Sequence, residues 1–77
     1  MTATIPSATD PRWSKLILGQ LQPDFLGARV LVGRLTASYS MDPTPATMTA
    51  CCLELHGFYT KLAHLPKIQA EIAKLFP

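Results

Sequence analysis

Seventy-seven residues make one domain at most, and a chain this short buries only roughly 60% of the surface that it exposes when unfolded. Charged residues are 16% of the chain against a usual share of about 25%, apolar residues are 48% and mean hydropathy is +0.19, so a lone copy is expected to leave apolar side chains exposed, the mark of an interface where they are contiguous. The net charge of +2 is spread along the chain without a basic run, and it is too small to point to nucleic acid or an anionic membrane.

Residues 1–9 are small and polar with one proline and read as a flexible lead-in; residues 10–77 read as one helical domain. Prolines organise that domain. A proline is tolerated in the first helical turn because its missing N–H would be unpaired there anyway. An aspartate beside it caps the turn or sets its charge against the positive helix end. Asp10-Pro11, Pro23-Asp24 and Asp42-Pro43 place every aspartate of the chain next to a proline, and Leu65-Pro66 adds a fourth start. The expectation is an all-α, four-helix domain with helices over about 11–21, 24–40, 44–63 and 66–76, joined by short connections.

In the first helix Trp13, Leu16, Ile17 and Leu21 share a face, opposite Arg12 and Lys15, and Gly19 weakens it by about 1 kcal/mol relative to alanine. The second segment has two readings. As a helix, Phe25, Ala28, Leu31, Val32, Leu35 and Tyr39 form one stripe, and Leu26, Val30 and Ala37 form a second, so it needs neighbours on two sides. As a strand over 29–39 it alternates; Gly27 and Gly33 lower the helix propensity of the segment, and Val30, Val32, Thr36 and Tyr39 favour strand. A lone strand cannot satisfy its own backbone, so this α+β alternative requires pairing in a dimer or a hairpin within the segment. The Pro23-Asp24 start and the segment's length favour the helix.

The third helix carries a broad stripe of Met48, Cys51, Cys52, Leu55, Phe58, Tyr59 and Leu62. The fourth pairs an apolar face of Ile68, Ile72, Leu75 and Phe76 with a wet face of Lys67, Glu71 and Lys74. Among the aromatics, Phe58 reads as core, while Trp13 and Tyr59 read as candidate interface anchors.

Little in the chain points to chemistry. Cys51, Cys52, His56 and His64 are its soft ligands, but no Cys-x-x-Cys or paired-histidine spacing joins them, so the cysteines read as small core residues and neither metal nor cofactor is expected. A reactive thiol needs a cation or a helix start beside it, and these lie mid-helix next to Leu53 and Glu54. No nucleophile elbow, His-Glu-x-x-His or phosphate-binding glycine loop occurs. Adjacent cysteines are too close for an ordinary disulfide, residues 1–11 lack the features of a signal peptide, and no apolar run spans a membrane. A reducing cytoplasm is the expected compartment.

The function expected from these features is non-enzymatic. The chain reads as an adaptor, regulator or inhibitor that binds a larger protein, itself, or both, through an apolar helix face built from Leu26, Val30, Leu31, Leu35 and Tyr39. The alternative is a dimeric nucleic-acid-binding regulator of ribbon–helix type, presenting Arg34, Thr36 and Ser38 on a two-stranded ribbon.

Overall fold

The chain enters a helix just after each of the four proline junctions. The computed structural model describes residues 4–77, and every regular element among them is helical. The elements are α1 (Arg12–Ile17), α2 (Leu26–Met41), α3 (Pro45–Leu62) and α4 (Pro66–Leu75). Pro45 and Pro66 occupy the first turns of α3 and α4. At α1 the Asp10 carboxylate accepts from the Arg12 backbone N–H at 2.9 Å and also pairs with the Arg12 guanidinium. At α3 the cap is Thr44, whose hydroxyl accepts from Thr47 N–H at 3.2 Å, while Asp42 accepts from the Thr47 hydroxyl at 2.8 Å.

The strand alternative over 29–39 is not adopted. Those residues lie inside α2, where the backbone groups pair within the helix and need no second copy. The ribbon built on that strand is therefore absent. Thr36 instead donates its hydroxyl to the Ile17 carbonyl at 2.8 Å, satisfying an acceptor at the end of α1, and Arg34 pairs with Glu54 of α3 at 2.5 Å.

The first helix is shorter than its sequence pattern suggests, because Gly19 ends it. Gly19 has φ +78°, in the left-handed region that residues with a Cβ avoid. Its N–H bonds the Leu16 carbonyl at 3.3 Å, and the Gln20 N–H reaches the Lys15 carbonyl at 2.8 Å, the paired bonds of a Schellman stop.

One core serves all four helices, and α3 packs against each of the others. Trp13, Leu16 and Ile17 meet Ala28 and Leu35 of α2, Cys51, Cys52, Leu55 and Tyr59 of α3, and Ile68, Ile72 and Leu75 of α4, with Phe76 closing the end. The radius of gyration is 11.7 Å, close to the roughly 11.5 Å expected for this length, so no helix stands off the core. Trp13 and Tyr59, expected as candidate anchors, are fully buried instead, because the aromatic centre forms around them. The Trp13 ring lies 5.7 Å from both His56 and Tyr59 and 4.6 Å from Phe76. Phe58, expected in the core, is half-buried at its edge between Phe25 and Tyr59.

The expected lead-in falls partly outside the described residues, at 1–3. Of the rest, Ile5 packs against the core, Pro6 is buried, and the Ser7 carbonyl accepts from the Trp13 indole N–H at 3.0 Å. That bond satisfies the one polar group of a buried tryptophan.

Replacing Gly19 tests the helix stop. Gly19→Ala meets no steric neighbour, yet it should destabilise the fold by about 1–2 kcal/mol through the left-handed backbone alone, read as a lower urea midpoint with an unchanged slope.

Candidate interaction surface

Successive side chains on an α-helix are about 100° apart, so Leu26, Val30, Gly33, Ala37 and Met41 of α2 fall within about 80° of arc. All five are exposed, with Leu26 at 73%, Val30 at 67% and Met41 at 89%. The opposite side of the helix holds Ala28 and Leu35 in the core, with Leu31, Val32 and Tyr39 half-buried against it. The five residues expected to form an interface thus divide. Leu26 and Val30 face outward, Leu31 and Tyr39 lie at the flanks of the core, and Leu35 is inside it. Met41 extends the outward stripe because α2 runs one residue beyond its expected end.

Two glycines on α2 have different reasons to be there. A Cβ on Gly27 would meet the Phe25 ring at 3.0 Å and the Phe58 ring at 3.5 Å, so that position is small for internal packing. A Cβ on Gly33 would meet nothing within 4 Å, so the fold of one copy gives no reason for a helix-weakening residue in mid-helix. On the two flanks of the stripe, Arg29 donates to the Pro23 carbonyl at 2.9 Å and Arg34 pairs with Glu54.

At its N-terminal end the stripe runs into a groove of about 570 Å³ lined by Asp24, Phe25, Leu26, Lys67, Ala70, Glu71 and Lys74. Glu71 builds this junction. It was expected on the wet face of the fourth helix, but it is only 5% exposed. One carboxylate oxygen accepts from the backbone N–H groups of Asp24 and Phe25, at 2.6 and 2.5 Å, and the other accepts from the Tyr59 hydroxyl at 2.6 Å. Glu71 therefore caps α2 from another helix, a job that no side chain at the start of α2 itself performs. Asp24, expected as that cap, turns outward to the Lys74 ammonium, which holds its carboxyl below the usual carboxylate range.

Cys51 and Cys52 are free and buried. Cys51 donates to the Leu35 carbonyl at 3.6 Å, and burial pushes both thiols above their ordinary range, away from the thiolate that reactivity requires. His56 sits edge-on to Trp13 and His64 is exposed; among the described residues no three of His, Cys, Asp and Glu converge on one point. No helix among the described residues is long and apolar enough to cross a membrane.

Burial, and then the bond to Glu71, raise the Tyr59 phenol well above its ordinary range. A group whose folded pKa is raised contributes stability that is whole below its unfolded value, near 10, and lost as pH climbs toward the folded one. The buried thiols add in the same direction from about pH 9 upward. The urea midpoint should therefore be level through neutral pH and fall progressively above about pH 9. Tyr59→Phe should cost about 1–3 kcal/mol at pH 7, by leaving a buried carboxylate oxygen without its donor, and should make the alkaline fall shallower. No protein-family model, curated protein or solved structure matches this chain, so the reading of its surface rests on its own residues.

Proposed function

We propose that the chain is a non-enzymatic protein-interaction module, an adaptor, regulator or inhibitor that works by laying the outward face of α2 against another protein surface. The observation that carries this reading is the run of Leu26, Val30 and Met41 on one exposed face, joined by the small residues Gly33 and Ala37. Burying a leucine or valine side chain fully is worth about 1.5–3 kcal/mol, and nothing within the chain collects that contribution at Leu26 or Val30. Large apolar residues aligned over four helical turns are the pattern of helix-in-groove recognition. The flanking Arg29 and Arg34 are held by the chain's own groups and would form the polar rim that surrounds an apolar centre.

The compartment that fits is a reducing one, with two free thiols stored in the core. Self-association is part of the same reading, because a surface that binds an apolar helix face also suits its own copy.

The experiment is a comparative capture from the native cell. Leu26→Lys and Val30→Lys should keep the melting temperature within a few degrees, both positions being solvent-facing, and should strip the specific partners that the wild-type chain retains. An unchanged set of captured proteins from both folded variants defeats the reading.

A further inference from the structure

Resting on the reading that the outward face of α2 is an interface, we infer that its occupant is a second copy of this chain, docked antiparallel about a two-fold axis beside Gly33. The area sets the first condition. A 16-residue helix is about 24 Å long and about 10 Å across, so the stripe alone offers a footprint on the order of 250 Å². A specific interface needs roughly 500 Å² per partner. The occupant must therefore also use the neighbouring groove at Leu26, and a second copy does so twice, once on each side of the axis.

The register follows from the residues. With Gly33 of each copy beside the axis, Leu26 faces Met41 of the second copy and Val30 faces its Ala37. Each large side chain then lies against a flexible or small one, and the backbones approach most closely where a Cβ is missing and where one copy leaves open space. Met41, the most exposed apolar residue of the stripe, arrives at the mouth of the groove.

Charge favours the same arrangement. Asp42 of the second copy comes level with Phe25, at the end of α2 where Lys67 lines the groove. Neither Asp42 nor Lys67 makes an ion pair within the chain among the described residues. The two Arg34 side chains meet on one side of the axis, and each is neutralised by its own Glu54 at 2.5 Å, so their approach brings together two ion pairs without net charge. A parallel pair would set Met41 against Met41, leave both grooves empty and keep Asp42 far from Lys67.

The test is multi-angle light scattering on the full chain from about 10 µM to about 1 mM, with cysteine cross-linking. The expected result is a reversible dimer that Val30→Asp weakens roughly tenfold or more with unchanged melting. Asp42→Lys should weaken it as well, and Asp42→Lys combined with Lys67→Asp should restore it. Gly33→Cys should cross-link into a covalent dimer and Met41→Cys should not; the native cysteines are buried and do not compete. A single copy at every concentration, a dimer indifferent to Val30→Asp, or efficient cross-linking of Met41→Cys each overturns the inference. If the chain stays single while Val30→Lys still strips captured partners, this inference falls and the interaction module stands. If Leu26→Lys and Val30→Lys alter neither capture nor association, both fall.

Discussion

Taking a carboxylate out of water costs several kcal/mol unless hydrogen-bond donors replace the lost hydration, and Glu71 is buried only because two other helices supply those donors. The start of α2 gives two backbone N–H groups and the positive end of its dipole, and α3 gives the Tyr59 hydroxyl. The same contact satisfies α2, whose own sequence provides no side-chain cap. It also fixes the rotational setting of α2. Once its first turn is pinned to α4, the helical repeat dictates that Ala28 and Leu35 point inward and that Leu26 and Val30 point outward.

The aromatic centre works around this hinge of polar bonds. Trp13 fills the space between α1, α3 and the C-terminal Phe76, and its indole N–H is satisfied by the Ser7 carbonyl, a segment outside any helix. A domain of this size has a total stability of only about 4–12 kcal/mol, so one unsatisfied donor in such a centre is a large fraction of the whole. Its polar groups are accounted for: among the described residues no buried side-chain nitrogen or oxygen lacks a partner. Surface ion pairs contribute far less, since Asp10–Arg12, Arg34–Glu54 and Asp24–Lys74 all stand in or near solvent.

The composition and the surface are linked by a simple constraint. A short chain has much surface for its volume, and this one has few charges to spread over it. Three of the exposed large apolar side chains, Leu26, Val30 and Met41, align on one side of α2, next to a groove whose walls carry Lys67 and Lys74, while Leu18, Leu53 and Leu65 are exposed singly on other parts of the fold. The buried cysteines show the converse, polarisable groups used as small core residues rather than as reactive ones. The interaction reading depends on where the apolar surface lies, more than on how much of it there is.

Helix number, helix type and the positions of the starts were legible in the amino-acid order, because proline placement, capping and a 3.6-residue period act over a few neighbouring residues. So was the existence of two apolar stripes on the second helix. Three things were not. Gly19 ends α1 through a left-handed turn that periodicity does not register. Trp13 and Tyr59 were candidates for the surface until the helices enclosed them. Glu71, expected on the wet face of the fourth helix with Lys67 and Lys74, became the cap of a helix 46 residues earlier in the chain. Local order therefore determined which segments coil and which sides of them are apolar. Tertiary structure alone decided which of two equivalent stripes is covered, since burial is settled between segments far apart in sequence, by the packing of whole helices and by one charge that could leave water only where distant donors were waiting.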